Sequence, residues 1–126
     1  KSVDMVIWAL KNNLGGEIFV PKIASFKVID LAKATNNKAK IKIIGIRPGE
    51  KIHEELISEY DGIKTVDLDK YYAILNNFTD KEINLYVKKT KGKKIKEGFT
   101  YNSFNNPRYL SVQELIKEVK EFRSDK

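Results

Sequence analysis

The expected fold depends on one stretch of the chain, Ile41-Lys42-Ile43-Ile44-Gly45-Ile46-Arg47-Pro48-Gly49-Glu50. Its first half is a β-branched apolar run, which is typical of a buried strand. Pro48 lacks a backbone donor and Gly49 favours turn dihedral angles, so the chain must leave the sheet there. The stretch therefore predicts a buried strand over Ile41–Ile46 that ends in a tight turn.

Arg47 and Glu50 stand on the two sides of this turn. In open α/β folds ligands bind at the carboxyl ends of strands, and a guanidinium offers a planar fork of donors that suits phosphate oxygens. An ionised glutamate only accepts hydrogen bonds, which suits paired hydroxyls such as those of a ribose. These residues indicate a half-site for a phosphorylated, hydroxyl-rich ligand. The alternative is that the two side chains simply pair with each other, and spacing alone favours that alternative.

The composition is that of an ordinary globular protein. The 126 residues fit one domain, with 41% hydrophobic and 33% charged residues. No apolar stretch approaches the roughly 20 residues that span a bilayer, and no leader is evident, so we expect a cytoplasmic protein without membrane contact. Cysteine is absent and histidine occurs once, so no metal site is expected. A net charge of +7 favours an anionic partner.

The segments around the central stretch predict an α/β fold. Residues 17–20 form a short strand that Pro21 ends, and Ser25 is expected to cap a helix. Strand, helix and the 41–46 strand then make a βαβ unit of short parallel strands with a right-handed crossover. An amphipathic helix at residues 3–10 and a C-terminal helix flank this unit. The capping box Ser111-Val112-Gln113-Glu114 marks the start of the C-terminal helix.

The rest of the chain has weaker patterns. Apolar residues at helical spacing predict a helix over 51–58. The polar residues 59–70 predict a mobile loop, residues 71–75 a strand, and the alternation within 80–89 a further strand. Six lysines within 88–97 predict a basic loop. Such a run is usually solvated, and without arginines it is a poor single-strand groove, so nucleic-acid binding is a minority interpretation.

No glycine-rich phosphate loop connects a strand to a helix, because Gly15-Gly16 ends a helix instead of opening one. We therefore assign no cofactor-binding residue to this chain. No catalytic residue is assigned either. The string Tyr60-Asp61-Gly62-Ile63-Lys64 has the spacing of a tyrosine–lysine pair, but Gly62 and its polar surroundings argue against the helix that such a pair needs.

Three ordered blocks resemble a known family: residues 15–23 (GGEIFVPKI), 29–32 (IDLA) and 42–55 (KIIGIRPGEKIHEE). They are similar to the carboxyl-terminal region of bacterial polysaccharide-biosynthesis proteins, the inverting UDP-N-acetylglucosamine 4,6-dehydratases and their capsular epimerase relatives. These belong to the extended short-chain dehydrogenase/reductase superfamily. The resemblance runs from about residue 2 to 106 and is dense over 15–57.

The resemblance implies different roles for the amino-terminal and carboxyl-terminal parts of the longer enzyme. In the family, an amino-terminal Rossmann domain holds NADP and the catalytic Asp, Lys and Tyr, and that domain is absent from this chain. The carboxyl-terminal part, here residues 1–126 as a single substrate-binding domain, closes over the UDP-sugar. By position, the family's diphosphate-binding arginine matches Arg47 and its ribose-binding glutamate matches Glu50. The resemblance therefore favours a binding role for these two residues over simple pairing of their side chains with each other.

The resemblance also implies an activity for the longer enzyme, which we expect to be a homo-oligomer. Hydride would leave C4 for NADP, water would be eliminated across C5 and C6, and hydride would return to C6 with inversion at C5. This chain alone is expected to be inactive. Two alternatives stay open: the same role in a UDP-sugar 4-epimerase, and a stand-alone basic module that binds an anionic polymer.

Overall fold

The computed structural model describes residues 2–124. Their contacts fall into two compact units. The sheet unit contains residues 2–22 and 55–102, and the helix-pair unit contains residues 23–54 and 103–124. Within residues 2–124, no helix is both long enough and apolar enough to cross a bilayer.

The helices are α1 (Ser2–Asn12), α2 (Val28–Thr35), α3 (Glu59–Gly62), α4 (Asp80–Thr90) and α5 (Val112–Ser124). The strands are β1 (Ile18–Pro21), β2 (Glu55–Ile57), β3 (Thr65–Asp67), β4 (Tyr71–Ile74), β5 (Lys93–Lys94) and β6 (Tyr101–Asn102).

The sheet unit is built from antiparallel pairs. Its larger sheet has the order β1-β4-β3-β5, and β2 pairs separately with β6. Each of these pairs is antiparallel, with Ile18 opposite Ile74 and Thr65 also opposite Ile74. The central strand β4 therefore lies between β1 and β3, and its aromatic and aliphatic residues suit this central position.

The predicted α/β class is confirmed, whereas the predicted parallel βαβ unit is wrong. Strand β1 pairs antiparallel with β4, and residues 41–46 form no strand. A strand needs a backbone partner, and residues 41–46 find none within the described part of the chain. Every residue from 35 to 56 is exposed.

Two apolar clusters form the core of the sheet unit. One contains the buried residues Val66, Ala73, Leu75, Ile83 and Tyr86. The other contains Val20, Ile57, Ile74 and Tyr101, with Tyr72 and Phe99 packed against it. Because successive residues of β4 point to opposite faces, Ala73 and Ile74 enter different clusters.

Residues 80–89 belong to helix α4, so the prediction of a strand there is wrong. Thr79 and Glu82 form a capping box, in which Glu82 Oε2 accepts from the Thr79 amide at 2.8 Å and the Glu82 amide donates to Thr79 Oγ1 at 3.4 Å. The buried residues Ile83 and Tyr86 lie three positions apart, at helical spacing. Leu85, which made the pattern resemble a strand, is 57% exposed.

Two further predictions between residues 51 and 70 are wrong. The expected helix over 51–58 is instead an irregular segment that leads into β2. The expected loop over 59–70 contains α3 and β3. Ser58 caps α3, since its hydroxyl accepts from the Asp61 amide at 3.2 Å.

Helices α2 and α5 pack together in the helix-pair unit. The capping box predicted for the C-terminal helix is confirmed, because Glu114 Oε2 accepts from the Ser111 amide at 2.8 Å and the Glu114 amide donates to Ser111 Oγ at 3.3 Å. Ser25 does not cap α2, which starts after Lys27. Ser25 instead forms a bridge with Tyr109, and its hydroxyl lies 3.0 Å from the amide nitrogen of the buried Asn106.

Candidate functional site

The turn at residues 47–50 has the geometry that its sequence predicts. The Glu50 amide donates to the Arg47 carbonyl at 3.0 Å, which closes a four-residue turn. Gly49 has φ +86°. Proline at the second position and a positive φ at the third are the signature of a type II turn. The backbone therefore holds Arg47 and Glu50 at fixed positions on either side of a rigid bend.

The two side chains are exposed and lie close to each other. Glu50 Oε2 accepts from the Arg47 amide at 2.9 Å, and Arg47 Nε lies 3.9 Å from Glu50 Oε1. Their side chains are 71% and 52% exposed. Within residues 2–124 the guanidinium makes no other ion pair. The side chains of Arg47 and Glu50 therefore do pair with each other, but their contact is long and leaves most of the guanidinium available.

The segment that carries the turn is anchored at its carboxyl end. The Glu54 amide donates to Ser103 Oγ at 3.1 Å, and the Ser103 amide donates to the Glu54 carbonyl at 2.8 Å. The His53 ring lies 3.2 Å from the same hydroxyl and packs on Phe104, with ring centroids 5.0 Å apart. Sequence reasoning assigned no role to His53, and the structure gives it this anchoring position.

A cleft in the sheet unit has a polar lining that sequence reasoning missed. It measures about 240 Å³, and its lining includes Lys22, Asp67, Asp69, Lys91 and Lys93. Lys22 Nζ lies 2.6 Å from Asp67 Oδ1 and 4.5 Å from the centre of the Tyr72 ring. No sequence pattern links residues 22 and 67, because the pairing of β1 and β3 with β4 brings them together.

The lysines of residues 88–97 lie on different elements instead of one loop. Lys88 and Lys89 lie in the last turn of α4, and Lys93 and Lys94 form β5. The nearby aromatic rings of Phe99 and Tyr101 pack on Tyr72, each with centroids 5.3 Å apart. Because Tyr101 is only 5% exposed, its ring offers no stacking face to a base. The nucleic-acid interpretation is weakened by this arrangement.

Several titratable groups have displaced pKa values with structural causes. Hydrogen bonds from Asn76 and Ser58 lower the pKa of the Asp61 carboxyl. The backbone amides and hydroxyls of the helix caps lower the pKa of Glu82 and Glu114. Burial, together with the nearby Glu17, raises the pKa of Tyr86 to about 12. These shifts follow from capping and packing, and none of these groups belongs to the turn at 47–50.

The fold and the turn define a small α/β module with an exposed arginine–glutamate bend. The family model described as "Polysaccharide biosynthesis protein" matches residues 1–76. The chain therefore belongs to this family of polysaccharide biosynthesis proteins, which confirms the resemblance found in its sequence blocks.

Individual relatives give the same result. The chain is 47% identical over 121 residues to a UDP-N-acetylglucosamine 4,6-dehydratase (inverting) of Campylobacter jejuni. This alignment covers 93% of this chain and 36% of that protein. The chain is also 38% identical over 122 residues to a UDP-glucose 4-epimerase of Rickettsia bellii. That alignment covers 94% of this chain and 35% of the relative.

A solved structure shares the fold. The X-ray structure of Pen from Bacillus thuringiensis superimposes with a TM-score of 0.72 at 26% identity, over 97% of this chain and 36% of that one. The chain thus spans about a third of the length of the relatives that it matches.

Proposed function

We propose that this chain is the nucleotide-sugar-binding portion of an inverting UDP-N-acetylglucosamine 4,6-dehydratase that acts in surface polysaccharide or glycan biosynthesis. The observation that carries the proposal is the 47% identity to the Campylobacter jejuni dehydratase across 93% of the chain. The substrate class is a UDP-hexosamine, and the product class is its 4-keto-6-deoxy derivative.

Arg47 and Glu50 are the proposed binding residues. A guanidinium that is 71% exposed on a rigid turn can present its fork of donors to a diphosphate without prior rearrangement of the backbone. Glu50 Oε1 makes only the long 3.9 Å contact with Arg47, so this oxygen can accept from a ribose hydroxyl. The other oxygen, Oε2, stays on the Arg47 amide and holds the carboxylate in place.

The residues present do not fit the phosphate groups of a dinucleotide cofactor. The connections β1–α2, β2–α3, β4–α4 and β6–α5 contain no glycine, whereas a dinucleotide-binding loop needs glycines between a strand and a helix. We therefore assign binding and orientation of the substrate to this chain. NADP, the Rossmann domain and the catalytic residues belong, in this proposal, to the rest of the longer enzyme, and the chain alone is inactive.

A chimera provides the test. This chain replaces the matching part of the Campylobacter jejuni relative, which is 36% of that protein's length. Calorimetry measures the affinity of the chimera for UDP. Arg47→Ala should weaken UDP binding by about 1.5–3 kcal/mol, the value of a hydrogen bond to a charged group. Arg108→Ala is the matched control, because Arg108 is another exposed arginine, 72% exposed and 3.8 Å from Glu114. Equal losses in the two variants would contradict the role of Arg47.

Turnover tests the assignment of the chemistry. The chimera should convert UDP-N-acetylglucosamine to a 4-keto-6-deoxy product, and this chain alone, mixed with the same substrate and NADP, should not. Turnover by this chain alone would show that the catalytic groups are in it.

A UDP-sugar 4-epimerase is the second candidate, favoured by the 38% identity to the Rickettsia bellii epimerase. The chemistry that separates the two reactions lies outside this chain in our proposal. Product analysis of the longer protein decides between them, because an epimerase returns a sugar that keeps its C6 hydroxyl.

A further inference from the structure

Another cavity of the sheet unit is lined mainly by residues of α1 and α4. It measures about 380 Å³, which falls within the range of roughly 300–1,000 Å³ that is usual for small-molecule sites. Its lining combines an apolar part with a charged rim, and it includes Trp8, Leu14, Leu68 and Tyr86 together with Lys11 and Lys89. Apolar walls with a few polar groups are typical of a binding site.

The apolar part of this cavity is held in place by ring contacts. The Trp8 ring packs on Tyr71 and meets Phe19 edge-on. Tyr86 is 3% exposed and meets Phe78 edge-on, with ring centroids 6.1 Å apart. Rings that are fixed in this way offer a preformed surface to an aromatic group, so little ordering is needed when such a group binds.

The rim of the cavity is positively charged. Lys11 and Lys89 are exposed, and neither forms an ion pair within residues 2–124. Each lies in the last turn of its helix, where the helix end carries about half a negative charge. Two full positive charges exceed these two half charges, and the described lining contains no acidic residue. The rim should therefore attract an anionic group.

The side chain of Tyr86 adds an unpaired donor to this region. Its hydroxyl oxygen is buried and has no hydrogen-bond partner within residues 2–124. Burial, together with the charge of Glu17, raises the pKa of Tyr86 to about 12, so the hydroxyl keeps its proton at neutral pH. Buried donors are usually paired, and a ligand carboxylate is an acceptor of the kind that this hydroxyl lacks.

We propose that this cavity binds a small aromatic carboxylate. The ring of the ligand lies against Trp8 and Tyr86, and its carboxylate lies near Lys11 and Lys89. The apolar walls favour a ligand with an aromatic body over a bare phosphate, and the lysines favour an acid over a neutral aromatic compound. The cavity belongs to the sheet unit, whereas the turn at 47–50 belongs to the helix-pair unit, so this inference does not rest on the proposed function.

Nuclear magnetic resonance provides the test, with 3-phenylpropionate as the probe. Trp8 is the single tryptophan of the chain, so its indole N–H gives one signal that reports directly on the cavity. Titration should shift this signal with a dissociation constant of about 1 mM, the value expected for a ligand of this size. The neutral analogue 3-phenylpropanol should bind at least about fivefold more weakly, because it lacks the carboxylate. An unchanged Trp8 signal at about 10 mM probe, or equal affinity for the two compounds, would overturn the proposal.

Two lysine variants separate the rim from the general positive charge of the chain. Lys89→Ala should weaken binding of 3-phenylpropionate about threefold, as the loss of an exposed charge contact does, and should leave binding of 3-phenylpropanol unchanged. Lys88→Ala is the matched control, because Lys88 is the neighbouring exposed lysine of α4 and is not among the residues that line the cavity. The amide signals of β3 and β4 report whether both variants are folded. Equal losses of 3-phenylpropionate affinity in the two folded variants would contradict the proposal.

Discussion

The indole ring of Trp8 packs on the phenol ring of Tyr71, with ring centroids 4.4 Å apart and an interplanar angle of 35°. Trp8 also meets Phe19 edge-on at 5.1 Å. These contacts fix the face of α1 that packs on the sheet. The spacing i, i+3, i+4, i+7 of Val3, Val6, Ile7 and Leu10 predicts that they form the buried face of this helix. In the structure these four residues are instead 46–73% exposed.

This arrangement predicts effects of very different size for two substitutions in α1. Trp8→Ala should destabilise the sheet unit by about 2–3 kcal/mol, somewhat less than the loss of a fully buried tryptophan, because Trp8 is only partly buried. Val6→Ala should change stability by less than about 0.5 kcal/mol, as surface substitutions do. Urea unfolding followed by circular dichroism measures both. A larger loss for Val6→Ala than for Trp8→Ala would mean that the stripe is the packed face.

The Asp61 carboxylate links the start of α3 to the segment that follows β4 in the sheet unit. Its Oδ1 accepts from Asn76 Nδ2 and its Oδ2 from Ser58 Oγ, both at 2.7 Å. These bonds favour the ionised form, so they lower the pKa of Asp61 below its usual 3.8. By linkage, the stabilisation is complete above the usual value and is lost as the pH falls through the lowered pKa.

Asp61→Asn should therefore be about 1 kcal/mol less stable than the natural chain at pH 7, and the difference should shrink as the pH falls below the usual pKa. Urea unfolding at several pH values, followed by the fluorescence of the single tryptophan, measures it. Asp80→Asn is the control, since Asp80 is exposed and its side chain makes no hydrogen bond within residues 2–124. A gap that widens in acid would contradict the sign of the effect.

Gly62 lies where no side chain fits. A Cβ on Gly62 would overlap the carbonyl oxygen of Phe99, and a backbone oxygen cannot move aside as a flexible side chain can. Gly62→Ala should destabilise the sheet unit by about 3 kcal/mol, the upper part of the range for overpacked sites.

Gly98→Ala is the comparison for this substitution. Gly98 has open space around its Cα but φ +76°, so its alanine variant should lose only about 1 kcal/mol through backbone strain. Thermal unfolding of both variants checks the order. A smaller loss at Gly62 than at Gly98 would show that the Phe99 backbone yields easily.

The capping box at the C-terminal helix and the Pro48-Gly49 turn predict their own local structure correctly. Apolar periodicity gives the wrong element at 51–58 and 80–89, and no local signal predicts the long-range pairing of strands. The capping box at Ser111 and Glu114 located α5 because its hydrogen bonds join residues close in sequence. The same signal at Thr79 and Glu82 marks the start of α4, whereas the alternation of Ile83, Leu85 and Val87 imitates the pattern of a strand. The pairing of β1 with β4 cannot be predicted from local sequence, since antiparallel strands that are distant in the chain share no common sequence pattern.

The turn at 47–50 was predictable, and its surroundings were not. Pro48 and Gly49 determine their own dihedral angles, so the bend follows from the two residues alone. The strand expected before it depends on a partner, and residues 2–124 provide none. The roles of Arg47 and Glu50 in binding accordingly stay predictions, which rest on chemistry and on resemblance.

Gly49→Ala tests whether the turn positions Arg47. At φ +86°, an alanine is strained by about 1 kcal/mol, which should weaken the hydrogen bond from the Glu50 amide to the Arg47 carbonyl. In the chimera, UDP affinity should then fall about fivefold, less than in Arg47→Ala, because the guanidinium is still present but less well placed. Lys51→Ala, next to the turn, should change UDP affinity less than twofold. Calorimetry gives the affinities, and the exchange rate of the Glu50 amide reports whether the turn has opened. An opened turn with unchanged UDP affinity would mean that Arg47 binds without needing the bend, or does not bind at all, and the Arg47→Ala result separates these two explanations.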